Sequence, residues 1–110
     1  MKNVYFTEVN SSSNKSGIAR NLLEIIINKE KIKLETHIPL KVHFGERGNI
    51  TYIDPKNYDG IIDLLEDENI EVSYIETNVL YVGSRTVKSD HLVVAKEHGF
   101  TRKPVIIADG

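Results

Sequence analysis

Apolar residues fall in short clusters between polar stretches, and their spacing alternates between the two-residue period of a strand and the 3.6-residue period of a helix. Residues 4–9, rich in β-branched and aromatic side chains, predict a first strand that ends near Glu8 in the polar loop 10–17. Ile18, Leu22, Ile25 and Ile26 then recur at helical spacing, with Ser13, Asn14 or Ser16 placed to cap the helix. The run Ile25-Ile26-Ile27 also suits a strand, but the flanking Ala19, Arg20, Asn21, Leu22, Leu23 and Glu24 favour helix. Residues 38–44 predict a second strand, with Pro39 near its beginning, where a missing donor is tolerated. Asp54-Pro55 opens a second helix: the carboxylate can cap free N–H groups, and proline at the first helical position loses no bond. Tyr58, Ile61, Ile62 and Leu65 mark its buried face, and its acidic end, Glu66-Asp67-Glu68, opposes the helix macrodipole and predicts fraying.

Residues 71–76 form the third predicted strand. A last helix starts at Ser84 or Ser89, carries Leu92, Val93 and Ala95, and stops at Gly99 in a left-handed turn, with Phe100 packing back over that end. Residues 104–108 predict a fourth strand, a continuous apolar run of the kind covered on both faces. The order β-α-β-α-β-α-β predicts an α/β fold: an open, mainly parallel sheet in a two-layer or three-layer arrangement, one domain over residues 1–110. In such sheets all strand-to-helix loops share one edge, and ligands bind outside the strands' C-terminal ends.

Composition narrows the partners. With 40% apolar and 27% charged residues the chain has the balance of a folded globular protein. A net charge of −2 with scattered lysines argues against nucleic acid. No stretch reaches the ~18 apolar residues of a membrane span, and no signal-peptide core precedes Thr7 and Glu8. The absence of cysteine removes disulfides, thiolate metal sites and a cysteine nucleophile, and a cytoplasmic location is the expectation.

Two strand-to-helix loops, residues 45–54 and 77–84, are longer than compact connection requires and face the predicted ligand edge. Lys41 and His43 sit at alternate strand positions, so they share a sheet face, and the loop continues Gly45-Glu46-Arg47-Gly48-Asn49. A cation, an imidazole, a carboxylate and exposed backbone N–H groups suit an anion, and His43 with Glu46 suits a divalent metal. The plainer reading is a lysine reaching out of a strand beside a hydrogen-bonded core histidine. After the third strand come Glu76, a candidate base or ligand, then Thr77 and Asn78, then Gly83, Ser84 and Arg85, which could form an anion nest or simply a capped helix start. Neither a Walker loop nor a dinucleotide fingerprint is present. Asp90 and His98 read as helix electrostatics, whereas His91 and Asp109 join the candidate edge. His37 lies at the opposite edge, on the surface. The serine-rich loop 11–17 reads as a capped turn in preference to a phosphate cradle.

Taken together, Lys41-Val42-His43-Phe44-Gly45-Glu46-Arg47-Gly48-Asn49, Thr77-Asn78, Leu80-Tyr81-Val82-Gly83-Ser84-Arg85, Asp90-His91-Leu92, Glu97-His98-Gly99-Phe100 and Pro104-Val105-Ile106-Ile107-Ala108-Asp109-Gly110 resemble the DUF362 family, an uncharacterised group described as iron–sulfur centre proteins. The resemblance covers nearly the whole chain, least distinctly over residues 10–37. It implies a longer protein in which a ferredoxin-like segment with cysteine clusters follows, so this chain is expected to be a fragment whose iron–sulfur cluster, if any, lies in the remainder. No cofactor is expected within the chain itself. The expected function is binding of a small anionic ligand or a divalent metal at the strand C-terminal edge, alongside a redox module. The alternative is a non-catalytic binding or oligomerisation module whose free sheet edge pairs with a partner or a second copy. Whether the chain is an enzyme is left open, because no paired nucleophile and base stand out.

Overall fold

In the computed structural model, residues 2–79, 83 and 85–109 are described. The element order is α1 (Lys15–Lys29), β1 (His37–Lys41), a 3-10 turn (Pro55–Tyr58) leading into α2 (Asp59–Asp67), β2 (Glu71–Glu76), α3 (Lys88–Glu97) and β3 (Val105–Ile107). The strands pair in parallel in the order β1-β2-β3, with Leu40 opposite Tyr74 and Ile75 opposite Ile106. The fold is α/β with an open parallel sheet, as the spacing of apolar residues predicts.

Local chemistry explains most of the boundaries. Asn14 accepts a hydrogen bond from Gly17 N at 3.1 Å and so caps α1. Asp54 accepts from Lys56 N at 3.0 Å in front of Pro55, which needs no partner. Asn69, at φ 59°, and Gly99, at φ 89°, end α2 and α3 in left-handed turns, after which Ile70 N and Phe100 N donate back to Leu65 O and Ala95 O. The acidic end of α2 is held by cations: Arg20 reaches Asp67 at 3.0 Å and Lys103 reaches Glu66 at 2.9 Å, which offsets the opposition to the macrodipole that predicted fraying. The start of α3 lies one residue before Ser89, without a serine cap. That helix begins at Lys88 behind Val87, which has no capping side chain, and Ser84 lies outside the described residues.

Both crossovers step in the same direction, from β1 to β2 to β3. Right-handed crossovers, the rule for parallel strands, then put α2 and α3 on one side of the sheet. Register confirms it: Ile38, Leu40, Val42, Phe44, Val72, Tyr74, Val105 and Ile107 share the face turned to the helices, where they join the core with Ile62, Leu65, Ala95 and Phe100. Burial of a side chain such as Ile62 or Leu65 contributes about 1.5–3 kcal/mol each. Phe100 anchors the centre, edge-on to Phe44 at 4.9 Å and to Tyr74 at 5.2 Å. The sheet thus has two layers, and its other face carries Pro39, Lys41, Ile75 and Ile106. The run 104–108 was expected to be covered on both faces; instead Ile106 is exposed, because no helix lies on its side.

α1 forms an outer tier. It packs on α2 and the 3-10 turn, and none of its residues is fully buried. Gly60 makes this approach possible: a Cβ there would collide with the Ser16 carbonyl oxygen, and Gly60 N donates to Ser16 Oγ at 2.7 Å.

The predicted first strand does not form. Residues 2–9 carry no regular secondary structure, and Val4 and Phe6 are 90% and 80% exposed. The reason lies in β1. Glu71 N donates to Thr36 O and Val42 N to Ile75 O, so even-numbered residues of β1 face β2 and Pro39 turns its missing N–H to the outer edge. That edge cannot complete a ladder with another strand, a common protection of sheet edges.

Candidate functional site

The C-terminal ends of the three strands bring a set of charged and polar side chains together. Glu76, the last residue of β2, is buried and central. Its Oε1 accepts from Lys41 Nζ at 2.5 Å and from Thr77 N at 3.0 Å, and its Oε2 stands 3.9 Å from His43 Nδ1. Arg85 closes the group from the far loop. Its Nε donates to Glu46 Oε1 at 2.8 Å and its NH1 lies 2.9 Å from His43 Nδ1. Gly83 borders the same carboxylate, since a Cβ there would sit 3.4 Å from Glu46 Oε2.

The Arg85 contact fixes the state of His43. A guanidinium can only donate, so His43 Nδ1 accepts, and the ring carries its proton on Nε2. The side chains of Lys41 and His43 are 66% and 49% exposed, whereas that of Arg85 is 6% exposed. His43 is therefore not the core histidine of the plainer reading. It is an outward donor beside an ammonium that spends one of its three N–H groups on Glu76.

A second group adjoins the first. His91, at the start of α3, is completely buried, edge-on to Phe44 at 5.5 Å, with Nδ1 3.0 Å from Asn78 Oδ1. Asn78 N donates in turn to Asp109 Oδ1 at 2.8 Å, which ties the end of β2 to the chain beyond β3. His91 Nε2 is buried with no hydrogen-bond partner among the described residues. Burial pushes the His91 imidazole below its ordinary pKa and the nearby Arg85 guanidinium pushes the same way, while the carboxylates of Glu76, Glu46 and Asp109 pull back. His91 is accordingly a neutral ring.

Most of the residues expected at this edge are assembled here: Lys41, His43, Glu46, Thr77, Asn78, Gly83, Arg85, His91 and Asp109. Two are not. Asn49 turns back on its own loop, accepting from Ile50 N at 2.8 Å and from Thr51 N at 3.2 Å. Gly45, at φ 83°, is packed against the Tyr52 ring and His98, so its backbone is not presented to a ligand. Ser84 lies outside the described residues. Glu76, a candidate base or ligand from its place at a strand end, lies at the centre of the group and holds Lys41. His98, read as helix electrostatics, in fact stacks on Tyr52 at 4.3 Å and donates from Nδ1 to Phe44 O at 2.7 Å, pinning the end of β1 beneath the loop.

The expected metal pair, His43 and Glu46, is bridged by the Arg85 guanidinium, so a divalent cation there would have to displace a positive group from both ligands. Among the described residues no group of three or more His, Asp or Glu is arranged to hold a metal ion. No helix among them is long and apolar enough to cross a membrane.

Scans against known protein families, curated proteins and solved structures each return no match.

Proposed function

We propose that this chain binds a small anionic ligand at the C-terminal edge of its sheet, with Lys41 and His43 as the contacting residues. The observation that carries the reading is the Arg85–His43 contact. It leaves Nε2–H as the free donor of a half-exposed imidazole, next to an exposed ammonium on the same sheet face. Two adjacent donors of this kind suit a phosphate or carboxylate oxygen. Arg85, Glu76 and Glu46 are positioning residues that hold the donors and reduce the entropy lost on binding. The same bridge favours an anion over a divalent metal at His43 and Glu46. The resemblance to the DUF362 family extends the proposal to a redox-associated role in the cytoplasm, with any iron–sulfur cluster carried outside these 110 residues.

Titration of the 15N-labelled protein with inorganic phosphate tests this. Amide shifts concentrated at Lys41, His43, Thr77 and Asn78, lost in Lys41→Ala and His43→Ala variants whose 15N spectra show the wild-type fold, support the reading. Shifts that are scattered over the surface, or that survive both substitutions, overturn it. Titration with a divalent cation that moves the His43 and Glu46 signals while phosphate does not would assign the site to metal.

A further inference from the structure

We propose that residues 2–9 supply a fourth strand to the sheet of a second copy of this chain, running antiparallel along the free edge of β3. This inference does not rest on the anion site.

The segment has the composition of a strand, with Val4 and Phe6 at alternate positions, almost fully exposed. On its own chain it hydrogen-bonds from Asn3 and Tyr5 to the exposed Glu30 carboxylate, and Thr7 and Val9 border a cleft beside Ile18 and Tyr58, contacts that leave Val4 and Phe6 uncovered. The outer edge of β1 is closed to it by Pro39. Among the described residues no strand pairs with the outer edge of β3: Tyr74 N donates to Pro104 O and Ala108 N to Glu76 O, so the even-numbered residues face β2, while Val105 and the 4% exposed Ile107 turn their N–H and C=O groups away from it. Its own chain seats the segment beside α1, which packs on α2 and the 3-10 turn and not on α3 or β3. A second copy has no such restriction.

One antiparallel register satisfies several independent requirements. With Phe6 opposite Val105 and Val4 opposite Ile107, both apolar side chains of the segment extend the helix-facing side of the sheet, and both pairs are the hydrogen-bonded kind that the outward groups of β3 demand. Thr7 then falls opposite Pro104 at a non-hydrogen-bonded position, where the missing N–H costs nothing. Lys2 stands opposite Asp109, whose Oδ1 serves Asn78 and whose second oxygen remains, and Glu8 stands opposite Lys103, an ammonium with donors beyond the one given to Glu66. Shifting the register by two residues in either direction sets a charged residue against Val105 or Ile107. Reciprocal exchange of the two segments closes the assembly as a dimer.

The chain has no cysteine, so engineered pairs report cleanly. Tyr5 and Ile106 face each other at a non-hydrogen-bonded position, where Cα atoms about 4.5 Å apart suit a disulfide. Under mild oxidation the double variant Tyr5→Cys with Ile106→Cys should give a covalent dimer, and Thr7→Cys with Ile106→Cys, out of register, should give far less. In sedimentation, the wild-type chain should be dimeric at high concentration. The variant Val4→Asp with Phe6→Asp, altered only at exposed positions, should be a folded monomer. A wild-type chain that is monomeric at every concentration overturns the proposal. So does a disulfide formed within one chain, or efficient dimerisation by Ile106→Cys alone, which would indicate β3 pairing with β3.

Discussion

Replacing Arg85 by alanine should cost about 2–3 kcal/mol, and the figure follows from what the side chain touches. The guanidinium is 6% exposed and holds Glu46, 27% exposed, at 2.8 Å and His43 at 2.9 Å. Removing one member of a buried pair costs roughly 3–5 kcal/mol, because the other charge stays buried without compensation. Glu46 retains access to water and can rehydrate, which moves the expectation toward or just below the lower end. Urea denaturation followed by circular dichroism reads it directly. With a slope of roughly 1–2 kcal/mol per molar for a chain of this size, the midpoint should fall by about 1–3 M. The double variant Arg85→Met with Glu46→Leu removes both charges and should return to within about 1 kcal/mol of the wild type, whereas Arg85→Lys should recover little, because an ammonium cannot span both partners. A loss below about 0.5 kcal/mol for Arg85→Ala, the size of an exposed ion pair, would refute the claim that this guanidinium organises the edge.

His91 gives a pH dependence of definite sign. Its folded-state pKa is lowered by burial, so below about pH 6.5 the unfolded chain binds more protons and stability falls with falling pH. His91→Gln should flatten that part of the stability profile; equal slopes in both proteins would remove His91 as the cause. Gly45→Ala combines a left-handed backbone with a Cβ 2.6 Å from the Tyr52 ring and should cost more than Gly48→Ala, which meets open space and loses only about 1–2 kcal/mol to backbone strain. Thermal unfolding of the two variants ranks them, and equal losses would contradict the packing described for Gly45. Phe100→Ala, at the centre of four aromatic contacts, should lose about 3–5 kcal/mol in denaturant unfolding, and a loss under 1 kcal/mol would displace it from the core.

The sequence made α1, α2 and β2 legible because local chemistry decides them: Asn14 and Asp54 cap, Pro55 opens, and Ile62 and Leu65 repeat at helical spacing over one buried face. It misread residues 4–9 because strand formation depends on a neighbour, and the neighbour presents Pro39 on its outer edge. It also misread the exposure of Ile106. An apolar run says nothing about which side the crossovers take, and here both take the same side. At the site, residue types and the shared edge were readable, since topology alone gathers strand ends. The partners were not: Arg85 was expected to supply charge to a ligand and is instead spent on Glu46 and His43, a long-range pairing with no local signature. His98 was explained by its helix end, yet its ring is set by Tyr52 and the Phe44 carbonyl, both distant in sequence.

The most direct test of the account is the protonation pattern of His43, read from long-range 1H–15N couplings of its ring with and without phosphate. The account predicts a neutral ring protonated on Nε2 and accepting at Nδ1 in the free protein, with the Nε2 resonance moving as phosphate is added and the pattern lost in Arg85→Ala. A ring protonated on Nδ1, or an Nε2 resonance indifferent to phosphate, would contradict it.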